Sequence, residues 1–278
     1  MRQSFFHALS PVIFLAAALA GCASSPPSEP PLLRPAQLDA VLPADVVLLG
    51  EQHDAAEHQR IQREVVEALA GRQQLAAVVI EMAEQGAGTA GLPSDANEAV
   101  VQTALRWEST GWSWSVYGPV VMAAVRAGVP VLGANLARSG MRNAMKDAAL
   151  SARLAPASWQ KQQDLIRDGH CGLLPEAQLP AMARVQVARD VAMAQTVAGA
   201  VRPGQVVLVL AGSGHVQREL GIPQHLPLQL RVKAVRLLAD AGPDTPVPGF
   251  DAVWRTPPTP PKDYCAELRE AFKAPPPK

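Results

Sequence analysis

Short runs of apolar residues, each ending at a glycine or a polar residue, predict the strands of the fold. Four such runs occupy residues 46–49, 76–80, 129–133 and 206–211. Runs of this length are typical of strands that are buried on both faces of a sheet. Between them, apolar residues recur at helical spacing, as in 56–70 and in the helix that we expect Pro119 to open. The pattern therefore predicts an α/β fold in which strands alternate with helices.

The stretch from 139 to 200 interrupts this alternation. It gives no strand pattern, and its apolar spacing predicts helices at 142–154, 158–168 and 176–201. We interpret it as a helical insert or cap beside the sheet. Two further strands are predicted at 230–238 and 250–255, and we expect them to form an antiparallel pair at the sheet edge. A short helix at 264–272 follows.

The amino terminus has the pattern of a bacterial lipoprotein signal peptide. Arg2 precedes an apolar stretch at 12–20, and the residues Leu-Ala-Gly-Cys that end at Cys22 resemble a lipobox. Such a peptide is cut before the cysteine, which then carries lipid, palmitate included. A transmembrane anchor is the alternative, but the apolar stretch is shorter than the ~20 residues of a membrane span. Since Ala23 rather than Asp follows the cysteine, we expect the outer membrane as the destination, with the protein facing the periplasm.

These features divide the chain into a signal peptide (1–21), a tether rich in Pro and Ser (22–37), an α/β domain (38–256) and a Pro-rich tail (257–278). The helical insert, 139–200, lies within the α/β domain. We therefore expect the protein to reach the membrane through its lipid anchor only.

Charge and cysteine content narrow the partners and the compartment. The chain has 278 residues, with 25 Lys and Arg against 25 Asp and Glu, and this balance offers no basic surface for nucleic acid. The mature chain has two cysteines besides Cys22, Cys171 and Cys265. In an oxidising periplasm an even pair suggests a disulfide, and two unpaired thiols are the alternative.

Four ionisable side chains follow strands at the same edge of the predicted sheet. They are Glu51, His53, Glu81 and His215. Ligands of open α/β sheets bind outside the carboxyl ends of the strands. Two carboxylates and two imidazoles suit a divalent metal such as zinc or iron, and they equally suit acid–base chemistry without a metal. In purely structural roles, Glu81 would pair with an arginine and His215 would cap the helix after the fourth strand.

Further side chains fit a haem rather than a metal ion. Haem iron is held by His, Cys, Tyr or Met, so Tyr117, His170 and Cys171 are candidate axial ligands. In their ordinary roles they would be a packed tyrosine, a loop histidine and a disulfide cysteine. His58 opens a helix, where we expect it to face solvent, with contact to a ligand as the alternative. The Arg-Asp pair that ends at Asp190 is either buried against the sheet or solvated.

Taken together, the motifs resemble the ChaN family of iron-regulated lipoproteins. The resemblance spans roughly 38–256 and rests on the segments VVLLGEQHD (46–54), VVIEM (78–82), WSVYGP (114–119), VLGANLAR (131–138), HCGLLPE (170–176), QVARDVAMA (186–194) and AGSGHV (211–216). That family belongs to a superfamily with the Tiki proteases, TraB-like proteins and erythromycin-esterase-like enzymes. The resemblance implies a mixed, mainly parallel sheet flanked by helices, with a smaller helical subdomain. It also implies haem held at a subunit interface through a tyrosine and a histidine of the partner subunit.

Two functions of different classes follow as hypotheses. The first is a haem-binding lipoprotein for haem or iron uptake, with Tyr117 or His170 near the iron, propionates met by Arg138 or Arg142, and a homodimer bridged by haem. The second is a metal-dependent hydrolase of peptides or esters that uses Glu51, His53, Glu81 and His215. A scaffold without any ligand is the third possibility.

Overall fold

A parallel sheet of six strands forms the centre of the structure, a computed structural model that describes residues 30–243 and 245–273. The strands are β1 (Val46–Glu51), β2 (Leu75–Glu84), β3 (Val131–Asn135), β4 (Val206–Gly212), β5 (Val232–Ala239) and β6 (Ala252–Thr256). Their order is β3-β2-β4-β1-β5-β6, and every neighbouring pair is parallel. The predicted signal peptide and Cys22 lie outside the described residues, as do residues 23–29 of the tether and residues 274–278 of the tail.

Helices cover both faces of the sheet. They are α1 (Pro35–Ala40), α2 (Ala56–Gly71), α3 (Glu98–Ala104), α4 (Trp114–Arg126), α5 (Met141–Lys146), α6 (Pro156–Gly169), α7 (Leu179–Ala200), α8 (Ser213–Val216) and α9 (Tyr264–Lys273). Helices α2 and α4 pack on one face, and α7 packs on the other. Every residue of β1 and of β4 is buried, as expected for central strands between two helical layers. The predicted α/β class is therefore confirmed.

The segment between β3 and β4 is helical throughout its regular elements. It contains α5, α6 and α7 together with short 3-10 turns at Arg138–Gly140, Ala148–Arg153 and Glu176–Gln178. Ile166, Leu179 and Ala183 give it a small core of its own. The segment nevertheless belongs to the same compact unit as the sheet, Pro31–Lys278.

Two expectations from the sequence need correction. First, β5 and β6 are parallel, because residues 240–251 cross back to the amino end of the sheet, and such a crossover needs about a dozen residues. Second, α4 begins at Trp114, and Pro119 lies inside it. The additional turn carries Tyr117, whose hydroxyl binds a buried carboxylate of the sheet.

Candidate functional site

The carboxyl ends of β1, β2 and β4 bring the four predicted strand-end residues together. Glu51 ends β1, and His53 follows in the next loop. Glu81 lies in β2, and His215 lies in α8, which begins directly after β4. The three strands are neighbours in the sheet, so their ends form one cluster.

Glu51 is a buried carboxylate with four donors. Its Oε1 accepts hydrogen bonds from His53 Nδ1 and from the Tyr117 hydroxyl, both at 2.7 Å. Its Oε2 accepts from the side-chain amides of Gln59 at 2.8 Å and Gln62 at 2.6 Å. Glu51 is only 2% exposed, and these bonds replace the water that the buried charge has lost.

His53 connects this carboxylate to the surface. Because Glu51 can only accept, we assign the proton of the hydrogen bond to Nδ1, which leaves Nε2 3.9 Å from Glu81 Oε2. Burial lowers the pKa of His53, but the hydrogen bond to Glu51 and the charges of Glu81 and Glu51 outweigh it and raise that pKa overall. The side chain is 40% exposed, and the ring of Trp112 meets it edge-on at 4.8 Å. His53 is therefore the part of the cluster that a ligand can reach.

A second hydrogen-bonded chain lies behind His53. His215 Nδ1 is 2.6 Å from Asp190 Oδ1, and its Nε2 is 3.4 Å from Glu81 Oε1. Burial would lower the pKa of His215, but the two carboxylates raise it to about 10. Burial raises the pKa of Asp190 to about 6, and the charge of His215 holds that of Glu81 well below its usual range. At neutral pH this chain is therefore an imidazolium between two carboxylates.

Gly212 lies between the hydrogen-bonded side chains around His53 and those around His215. Its amide donates to Glu81 Oε2 at 2.8 Å. A Cβ at this position would lie 2.8 Å from His53 Nε2, closer than real Cβ contacts allow. Only glycine fits here without displacing the His53 ring.

The geometry gives no support to the predicted metal. Within residues 30–243 and 245–273, no group of three or more His, Cys, Asp or Glu side chains is arranged to hold a metal ion. The Nδ1 atoms of His53 and His215 are both bonded to carboxylates instead. What the cluster offers is a hydrogen-bonded set of acids and bases.

The predicted haem-binding residues lie in three different places. Tyr117 belongs to the cluster: it is 3% exposed, and burial together with the charge of Glu51 raises its pKa, so the hydroxyl stays protonated. Arg138 and Arg142 are exposed and follow the carboxyl end of β3. His170 is half-buried after α6, where its Nδ1 lies 2.8 Å from the Ile166 carbonyl oxygen.

His58 corrects another expectation, because it is fully buried rather than facing solvent. Its Nδ1 accepts the Gln52 amide at 3.0 Å, which fixes the loop between Glu51 and α2. Burial lowers the pKa of His58 to about 4, so it is neutral at physiological pH.

Three members of the site were not assigned to it from the sequence: Gln59, Gln62 and Asp190. For Gln62 a signal existed, since it shares a helix face with the buried Val65, Val66 and Leu69. The sequence allows Asp190 to be either buried against the sheet or solvated, and in the structure it is buried.

Comparison with known families places the chain in one of them. The family model described as "Haem-binding uptake, Tiki superfamily, ChaN" matches residues 37–226, a range that contains the whole cluster. The chain belongs to this family. A solved structure of ChaN from Campylobacter jejuni, described as showing cofacial haem binding, is 26% identical with a TM-score of 0.63. The match covers 78% of this ChaN-family chain and 88% of that chain.

Two more distant structures have TM-scores below one half. The type III effector HopBA1 is 15% identical with a TM-score of 0.45, over 77% of this chain and 88% of its own. A protein from Bacillus cereus is 14% identical with a TM-score of 0.41, over 73% of this chain and 68% of its own. At these values the likeness does not bear on function. A comparison with curated proteins found no match.

Proposed function

We propose that this ChaN-family chain binds haem and serves haem or iron uptake at the bacterial cell envelope. The observation that carries the proposal is the match of the haem-binding uptake family over residues 37–226. The Campylobacter jejuni relative, which has the same fold, binds haem cofacially. Fold alone is a poor guide to function, so family membership, rather than the sheet, supports the proposal.

The carboxyl edge of the sheet is the place where we expect the haem. His53 is exposed there, and Trp112 beside it offers an aromatic surface. Arg138 and Arg142 follow β3 at the same edge. In the sheet, β3 lies three strand spacings from β1, a distance of about 14 Å. Two arginines at that distance suit the propionates of a haem whose iron lies nearer to β1.

The two predicted axial ligands differ in how available they are. The Tyr117 hydroxyl would have to leave Glu51 before it could bind iron. His170 has one ring nitrogen near a backbone carbonyl, and its Nε2 is left for a ligand. Of the two, His170 is the readier candidate.

The cellular setting belongs to the same proposal. A lipid on Cys22 anchors the chain to the outer membrane, facing the periplasm, and the segment after it acts as a tether. The disulfide between Cys171 and Cys265 fits this oxidising compartment. Cofacial haem binding in the relative supports a homodimer in which two subunits enclose the haem groups. The comparisons give no support to the hydrolase alternative.

Haemin titration of residues 31–278 tests the proposal. We expect saturable binding with a sharp Soret band, and a mass in solution that doubles when haem is bound. The double variant Arg138→Ala/Arg142→Ala should bind haem more weakly, because the propionates lose their partners. Haemin that shows no saturation with the wild-type protein would rule out the function.

A further inference from the structure

Helix α9 is held to the rest of the protein at two points near the site. Cys265 in its first turn forms a disulfide with Cys171, which lies between α6 and α7. The hydroxyl of Tyr264, its first residue, donates to Asp54. Asp54 directly follows His53 in the chain, so α9 starts at the rim of the site.

The outward face of α9 is apolar. Tyr264, Leu268 and Phe272 are spaced four residues apart and therefore share one side of the helix. Tyr264 and Phe272 are each 51% exposed. Lys262 lies over the Tyr264 ring at 5.1 Å and brings a positive charge to the same rim. A flat apolar ligand with anionic groups is the occupant that this chemistry suits.

The accessible histidine and tyrosine side chains converge on this rim when the inaccessible ones are removed. His58 and His225 have buried Nε2 atoms, and both nitrogens of His215 face carboxylates. Tyr117 is buried with its hydroxyl on Glu51. Cys171 and Cys265 are oxidised.

The tyrosine and histidine side chains that remain within the described residues are His53, His170 and Tyr264. Each is a chain neighbour of one of the two attachment points of α9. The half-cystine Cα atoms are 5.7 Å apart, so the Cα atoms of His170 and Tyr264 are at most about 13 Å apart. Asp54, the residue after His53, accepts the hydrogen bond from the Tyr264 hydroxyl.

We infer that α9, fixed by the disulfide, forms one wall of the haem site and that the Tyr264 oxygen binds the iron. The inference rests on the proposed haem function and deepens it. The Tyr264–Leu268–Phe272 face covers the porphyrin ring, and His53 or His170 lies on the same rim. Tyrosine is an established ligand of haem iron. Binding of ferric haem would deprotonate the phenol, and Asp54, which already accepts that hydrogen bond, would receive the proton and pass it to solvent.

The disulfide has a direct role in this arrangement. In α9, only Cys265 and Leu268 are half-buried, and the other side chains described are exposed. So little packing cannot hold a helix of this length in place, and the covalent bond with Cys171 supplies the constraint. Because α9 is already fixed before haem binds, less conformational entropy is lost on binding.

Variants of the full chain in non-ionic detergent test the inference by absorbance titration with haemin. Tyr264→Phe keeps the ring and removes only the oxygen, so we expect a different Soret and visible spectrum and about tenfold weaker binding. The double variant Cys171→Ser/Cys265→Ser should weaken binding by a similar factor because α9 is released. Phe272→Ala should weaken binding without changing the spectrum. Leu228→Ala, an exposed apolar residue beyond the amino end of β5, is the matched control and should bind like the wild type.

The outcomes separate the inference from the proposed function. If the wild type binds haem and Tyr264→Phe has the same spectrum and affinity, the inference is overturned and the haem function stands. If Tyr117→Phe loses the spectrum while Tyr264→Phe keeps it, the iron ligand is Tyr117. If the wild type shows no saturable binding, both fail. Far-ultraviolet circular dichroism of each variant shows that a loss of binding is not a loss of folding.

Discussion

The Tyr117→Phe substitution tests the hydrogen-bonded cluster at one atom. It removes the hydroxyl that donates to Glu51 Oε1 at 2.7 Å and leaves the ring packed against Trp107 and Trp112. Hydrogen bonds to charged groups contribute about 1.5–3 kcal/mol to stability. Since Glu51 keeps His53, Gln59 and Gln62 as donors, the lower part of that range applies.

We therefore expect the free energy of unfolding to fall by about 1.5–2 kcal/mol. Equilibrium unfolding in urea at pH 7 measures it, and the midpoint should fall while the slope stays unchanged. Tyr264→Phe is the matched control, because its hydroxyl bonds to an exposed aspartate, and it should change stability by less than about 0.5 kcal/mol. Equal, small effects of the two substitutions would refute the buried hydrogen bond to Glu51.

Three further predictions concern the same cluster. Gly212→Ala should cost about 1–3 kcal/mol of stability, because its Cβ would force the His53 ring away, and urea unfolding measures it. Asp190→Asn should lower the pKa of His215, followed by NMR of the imidazole protons; an unchanged pKa would show that Asp190 does not hold the His215 proton. His58 has a pKa of about 4 in the fold against 6.5 for the free side chain, so its stabilising contribution is full above pH 6.5 and is lost as the pH falls toward 4, in total about 3 kcal/mol. His58→Asn keeps an acceptor for the Gln52 amide, and its unfolding free energy should fall less steeply with acid than that of the wild type.

Much of the sheet could be predicted because its central strands are buried on both faces. Such strands read as continuous apolar runs, and those of β1 and β4 stand out from their surroundings. The direction of β6 could not be obtained in this way. An apolar run looks the same in a parallel and in an antiparallel pair, and the direction depends on where residues 240–251 lead the chain.

The residues of the site were predictable where ionisable side chains directly follow an apolar run in the sequence. Glu51, His53 and Glu81 come just after apolar runs in the sequence, and although β2 continues to Glu84, the common edge of the sheet brings the three together. Asp190 reaches His215 from the middle of the 22-residue helix α7, and no sequence spacing relates the two. The position of Tyr264 was also hidden, because the disulfide that brings it to the rim joins residues 94 positions apart.

NMR of the haem-loaded protein would test most directly whether haem lies at the carboxyl edge of the sheet. Ferric haem broadens the signals of nearby nuclei, and gallium protoporphyrin serves as the diamagnetic control. Strand β4 provides the scale, since Gly212 lies at the edge and Val206 lies about 20 Å away at the other end. The account predicts that broadening is strongest at the Gly212 amide and fades along the strand toward Val206. Broadening that is strongest at Val206, or that does not vary along β4, would contradict it.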